Sequence, residues 1–186
     1  MTLAATSSPR ILLLPGWLDS GPEHWQSRWE RLYGDLRVEQ ADWEWPRRGD
    51  WMARLDEVVL GDVRPAVLVA HSLGCQLVAA WAAHSLHVER VKAALLVAPP
   101  DTEHEDMPPN LFNWRPIVRE RLPFESRAVT SSDDPYCSAT RSAQMLADWG
   151  CAAVGIGARG HINGESGLGD WPEGRTLLTA LIERAA

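Results

Sequence analysis

The sequence predicts an α/β protein built on a doubly wound, mostly parallel sheet of six strands, with no large cap domain. Three observations lead there. Apolar runs of strand length alternate with longer stretches of helical period along the 186-residue chain, the pattern of a parallel sheet with helices on both faces. The apolar share of 45% and the charged share of 23% are those of a globular chain. A chain of this length buries about 70% of the surface its unfolded form exposes, so no disulfide or metal is needed to hold it. One domain over 1–186 is therefore expected, with residues 1–9 as a flexible N-terminus.

Taken in order, Ile11-Leu12-Leu13-Leu14 is a buried strand stopped by Pro15-Gly16. From Glu23 to Leu32, Trp25, Trp29 and Leu32 recur at i, i+4 and i+7, one face of an amphipathic helix. Leu36 to Glu39 reads as a short edge strand. Asp50 reads as the N-cap of a helix carrying Met52, Leu55, Val58 and Val59. Ala66-Val67-Leu68-Val69-Ala70 is a buried strand that runs directly into His71-Ser72-Leu73-Gly74, and a helix of small and apolar residues follows from Leu73 to His84. Val91 to Val97 is the next strand, ended by Pro99-Pro100. Arg127 to Ser131 and Ala152 to Ile156 complete the sheet, separated by a helix over Ser138 to Trp149. A last helix, Arg175 to Arg184, carries Leu177, Leu178, Leu181 and Ile182 on one side. The expected spatial order of the strands is 2-1-3-4-5-6.

The net charge of -7 argues against a nucleic-acid or anionic-membrane partner, and no basic run overrides it. The cluster from Arg115 to Arg121 has Glu120 inside it. Met1 to Pro9 is polar and lacks a signal-peptide core, and no apolar stretch reaches membrane-spanning length. Cys75, Cys137 and Cys151 have no metal-type spacing and read as reduced thiols; a cytoplasmic protein is expected. Ten tryptophans stand beside two phenylalanines and two tyrosines. They either take core positions usually held by Phe, or some of them, notably Trp17, Trp43 and Trp45, line an apolar pocket.

The chemistry centres on Val69-Ala70-His71-Ser72-Leu73-Gly74. A serine in a strained turn between strand and helix needs small residues two positions to either side, and Ala70 and Gly74 supply them. The helix N-terminus at Leu73 offers an N–H and a positive dipole end to an oxyanion. The bland reading of Ser72 is a helix N-cap. Two further segments favour the nucleophile. Ser131-Ser132-Asp133-Asp134-Pro135-Tyr136 and Gly160-His161-Ile162-Asn163 each follow a strand, at the sheet edge where Ser72 lies. Nucleophile, acid and base then run in the order Ser, Asp, His.

His161 is the candidate general base and Asp134 the acid that orients it. Asp133 is the rival, with a turn role as its alternative, and Asp101 is a third candidate. The second oxyanion donor is expected from the Trp17 N–H, after Gly16. His71 reads as a neighbour packed beside the site, and Cys75 and Cys137 as packing residues. His104-Glu105-Asp106 lacks a further ligand pattern, so no metal is expected. There is no phosphate loop or dinucleotide fingerprint, so no cofactor is expected. The irregular segment Asp101–Ser126 leaves the functional edge of the sheet and, with Trp17, Trp43 and Trp45, is the candidate substrate contact.

These motifs resemble the small serine hydrolase family of retinoblastoma-binding protein nine and bacterial YdeN, within the α/β-hydrolase superfamily. The marks are Leu14-Pro15-Gly16-Trp17, Glu23-His24-Trp25-Gln26, Val69 to Cys75, Val97-Ala98-Pro99, Leu122-Pro123-Phe124 and Ser131 to Tyr136. Gly160-His161-Ile162-Asn163 follows, with Gly167-Leu168-Gly169 and Trp171. The resemblance spans Leu12 to about Leu178. It implies a compact hydrolase fold and a triad at Ser72, Asp134 and His161. The expected reaction is hydrolysis of a small carboxylic ester through an acyl-serine. The alternatives are an amidase or peptidase using the same triad, or an idle hydrolase-fold module that binds protein.

Overall fold

The structure is a computed structural model, and it describes residues 8–185. The expected flexibility of residues 1–9 thus falls largely on residues outside those described. Six strands pair into one sheet: β1 (Arg10–Leu14), β2 (Leu36–Arg37), β3 (Ala66–His71), β4 (Val91–Val97), β5 (Glu125–Thr130) and β6 (Ala152–Gly155). Their order is β2-β1-β3-β4-β5-β6, as the sequence predicts. Every neighbouring pair is parallel.

Parallel neighbours need crossovers, and helices supply most of them. They are α1 (Trp25–Tyr33), α2 (Arg48–Leu60), α3 (Leu73–His84), α4 (Ala139–Trp149) and the closing α5 (Pro172–Arg184). The connection from β4 to β5 has only a short 3-10 turn, Pro109–Trp114. Alternate residues of β3 feed two separate cores. Leu68 and Ala70 face the side covered by α2, α3 and α4, whereas Val67 and Val69 face α1 and α5.

Seven of the ten tryptophans fill these cores. Trp51, Trp81, Trp114 and Trp149 sit on one side of the sheet, and Trp25, Trp29 and Trp171 on the other, all 2% exposed or less. The indole N–H explains what Phe could not provide. Trp25 donates to Ile162 O at 2.9 Å, Trp29 to Asp170 O at 2.8 Å, Trp114 to Pro46 O at 2.8 Å and Trp149 to Val118 O at 2.7 Å. Each of these rings buries a large apolar surface and ties a loop to the core in one step.

Some expectations need correction. Asp50 is not an N-cap: α2 starts at Arg48 and is preceded by Arg47, with Asp50 in its first turn. A distant side chain takes the capping part, since Arg48 N–H donates to Asn113 Oδ1 at 2.7 Å. Leu32 is 54% exposed, because α1 turns Gln26 and Ser27 inward beside Trp25 and Trp29. The last helix begins at Pro172, earlier than expected, with proline in its first turn. Among the described residues no helix is long and apolar enough to cross a membrane, and no cluster of side chains suited to a metal ion is found.

Candidate active site

The end of β3 and the start of α3 are separated by one residue, Ser72, whose φ of 52° and ψ of -125° are unusual for a side-chain-bearing residue. The turn holds because its neighbours leave room. A Cβ on Gly74 would fall onto the Leu14 carbonyl, and one on Gly16 would meet Ser72 itself. The Ser72 N–H donates to Val97 O at 2.9 Å, which pins the turn to the end of β4.

The Ser72 hydroxyl donates to His161 Nε2 at 2.8 Å. On the far side of the ring, His161 Nδ1–H donates to Asp134 Oδ1 and Oδ2 at 2.9 and 3.0 Å. The Asp134 side chain is 5% exposed and that of His161 9%, so the carboxylate is aimed at the imidazole rather than at water. Asp134 Oδ1 also accepts from the Tyr136 N–H at 3.0 Å, closing the turn through Pro135. The Tyr136 ring then lies edge-to-face with His161 at 4.5 Å.

The two rival carboxylates point elsewhere. Asp133 accepts from Ser131 Oγ at 2.7 Å and from the Gly160 N–H at 2.8 Å. These bonds hold its carboxyl below the usual range and tie the β5 turn to the His161 loop. Asp101 is engaged by Arg141 at 2.8 and 3.0 Å.

Ser72 opens into a cleft of about 600 Å³. Trp17, Pro100, Met107, Pro108 and Leu111 make an apolar wall; Asp19, Glu23 and Glu165 lie on the cleft as well, and among the described residues no Lys or Arg lines it. The expected Asp101–Ser126 segment thus supplies part of the wall. It is held in place by ion pairs: Arg141 bonds Asp101 and Glu103, and Arg119 bonds Glu103 and Asp148. Leu73 and Trp17 both line the cleft beside Ser72. As the first residue of α3, Leu73 has an N–H with no acceptor within the helix.

Trp43 and Trp45 do not line this cleft. Packing draws Trp43 onto Trp51, edge-to-face at 5.4 Å, where its carbonyl accepts from Leu18 N–H at 3.1 Å and so backs the Trp17 loop. Trp45 is 61% exposed and sits over a separate groove with Arg47 and Asp50. The thiols are packing groups. Burial pushes Cys75 well above its ordinary value and Cys137 up to about 12.

Two residues near the site carry roles that periodicity does not announce. Gln26 is fully buried and donates to Leu14 O at 3.2 Å and Val69 O at 3.0 Å, bridging the ends of β1 and β3 behind the serine turn. A glutamine beside Trp25 on a core-facing helix was the available signal. His24 caps α1 through Nδ1, which accepts from the Gln26 N–H at 3.1 Å. Its ring lies 4.5 Å from that of His71.

A family model described as serine hydrolase matches residues 11–180. No curated protein sequence matches the chain. Among solved structures, the chain is similar to a protein from Pectobacterium atrosepticum described as a YdeN-like hydrolase. The identity is 27%, over 96% of this chain and 92% of that one, with a TM-score of 0.85. The ydeN gene product of Bacillus subtilis is 18% identical, over 95% and 100% of the two chains, with a TM-score of 0.73. A Bacillus cereus carboxylesterase is 17% identical, over 97% and 90%, with a TM-score of 0.61. At these lower identities the last two show a shared fold.

Proposed function

The chain belongs to the serine hydrolase family, and from that premise we propose that it cleaves a small carboxylic ester through an acyl-enzyme on Ser72. The observation that carries this reading is the unbroken hydrogen-bond sequence Ser72–His161–Asp134 opening on an apolar-walled cleft.

The roles follow from which nitrogen holds the proton. Asp134 accepts from Nδ1, which leaves the Nε2 lone pair facing the Ser72 hydroxyl. As Ser72 Oγ attacks the ester carbonyl, His161 takes its proton and Asp134 stabilises the resulting imidazolium. The carbonyl oxygen becomes an oxyanion, with the Leu73 and Trp17 N–H groups as its donors; losing one such donor typically costs about 10²–10³ in turnover. His161 then gives its proton to the departing alkoxide. Water enters and attacks the acyl carbon as His161 takes its proton; the acyl–Oγ bond breaks, the acid leaves, and His161 returns the proton to Ser72 Oγ.

The deciding experiment is labelling with a fluorophosphonate, followed by intact mass and peptide mapping, on wild type, Ser72→Ala and His161→Ala. One adduct on Ser72, absent from Ser72→Ala and strongly slowed in His161→Ala, supports the triad. No adduct on folded wild type would sink it. A panel of matched aryl esters and anilides then separates esterase from amidase activity.

A further inference from the structure

The loop carrying His161 has left-handed backbone on both sides of the histidine, with φ 55° at Gly160 and φ 50° at Ile162. Asp133 anchors the loop ahead of the histidine by accepting from the Gly160 N–H at 2.8 Å. Two ring N–H groups from β3 and α1 hold the carbonyls that follow. His71 Nε2–H donates to the His161 carbonyl at 2.9 Å, and Trp25 Nε1–H donates to the next carbonyl, Ile162 O, also at 2.9 Å. We infer that His71 and Trp25 are positioning residues that hold the His161 imidazole against Ser72. This rests on the triad reading proposed above.

The geometry closes on itself. His71 is the last residue of β3 and directly precedes Ser72. The path from the Ser72 hydroxyl to the His161 ring, along the His161 main chain to its carbonyl, into the His71 ring and back to Ser72 is therefore a ring. The 2.8 Å contact between Ser72 and His161 is set by a bond from the residue next to the serine, not by the loop alone. Trp25, the first residue of α1, fixes the following peptide and so removes the remaining rotation.

The chemical state of His71 suits the task. A carbonyl can only accept, so Nε2 carries the proton and Nδ1 the lone pair. Burial holds His71 well below its ordinary value, with His24 and His161 adding to the effect, so the ring is neutral. Its centroid lies 5.0 Å from that of His161. A second positive charge there would oppose the imidazolium that forms when Ser72 gives up its proton. The other imidazole facing His71, that of His24, is also held neutral, pushed down to about 3.

The test uses His71→Leu, which removes the donor, His71→Gln, whose amide N–H can reach the same carbonyl, and Trp25→Phe, which keeps an aromatic ring without its N–H. Active sites are titrated with the fluorophosphonate, and kcat and KM are measured on a neutral short-chain aryl ester per labelled site. A misplacement near 1 Å can cost about 100-fold. His71→Leu and Trp25→Phe are accordingly expected to lose about 10- to 100-fold in kcat and in labelling rate, with KM changed little, and His71→Gln to recover most of the loss. Wild-type kcat in folded Trp25→Phe overturns the inference even where His71→Leu does not fold. A His71→Gln enzyme no better than His71→Leu also overturns it. An unreactive wild type would overturn the triad itself, whereas a reactive wild type with equally reactive variants removes the positioning role alone.

Discussion

A Cβ built on Gly16 would stand 2.7 Å from the Cβ of Ser72 and 3.2 Å from its hydroxyl oxygen. The loop after β1 and the serine turn after β3 therefore touch with no space for one further methyl group. Gly16→Ala must displace either Ser72 or the loop that carries the Trp17 N–H. We expect a loss on the order of 100-fold in labelling rate and destabilisation of about 1–3 kcal/mol. Stopped-flow labelling and urea denaturation read the two effects separately. A fully active Gly16→Ala would show that the loop can retreat without consequence.

Asp134 and Asp133 are neighbours with different partners, and their amides should separate. Asp134→Asn replaces the acceptor at His161 Nδ1 with an amide that can impose the wrong tautomer. A fall of about 10³–10⁴ in kcat is expected. Asp133→Asn keeps an oxygen for Ser131 Oγ and the Gly160 N–H, so its activity should stay within about fivefold, the cost of one surface bond. Equal losses in the two variants would contradict the assignment.

Acid should weaken the fold through two histidines outside the proposed triad. Burial, with Arg37 and His161 adding to it, pushes the His24 imidazole from 6.5 down to about 3, and His71 is held well below its ordinary value. In that window the unfolded chain binds protons that the folded chain refuses, so stability rises with pH and is lost as pH falls. The His24 ring contributes up to about 1.4 kcal/mol per pH unit between roughly pH 6.5 and 3, and His71 acts in the same direction as pH falls below its ordinary value. Urea midpoints from pH 4 to 7 should slope upward in wild type. The slope should be smaller in His24→Asn, which can still cap α1.

The cleft wall should set acyl preference. Leu111 lines the cleft and is 3% exposed, while Trp45 lies outside it. Leu111→Ala is expected to lower kcat/KM for butyryl or hexanoyl esters by about 10-fold or more relative to acetyl esters, measured per titrated site. Trp45→Ala should leave that ratio unchanged.

Charge should matter at the same cleft. Asp19, Glu23 and Glu165 line it and, among the described residues, no Lys or Arg does, although Asp19 and Glu23 are paired with Arg37 and Arg28. A hemisuccinate ester should be cleaved on the order of five- to tenfold more slowly than the matched butyrate, and the gap should narrow with added salt. A gap that ignores salt would point to shape rather than charge.

The strands, their order and the three triad candidates could be read from the chain because each rests on local chemistry. Four apolar residues before Pro15-Gly16 make a buried strand in almost any context. The same holds for a small-residue frame around Ser72 at a strand–helix junction, and for acid and base placed just beyond later strands. Parallel topology then brings Ser72, Asp134 and His161 to one edge. What tertiary structure decided were matters of partnership. Asp134 rather than Asp133 meets His161 because the Pro135 turn aims one carboxylate inward and leaves the other to the Gly160 N–H. Trp43 is drawn onto Trp51 and away from the cleft, and Asn113 rather than Asp50 meets the start of α2. Gln26, His71 and Trp25 find acceptors 12 to 137 residues away in sequence. A hydrogen bond needs its two groups within about 3 Å, and only the folded chain fixes that separation for residues so far apart along it.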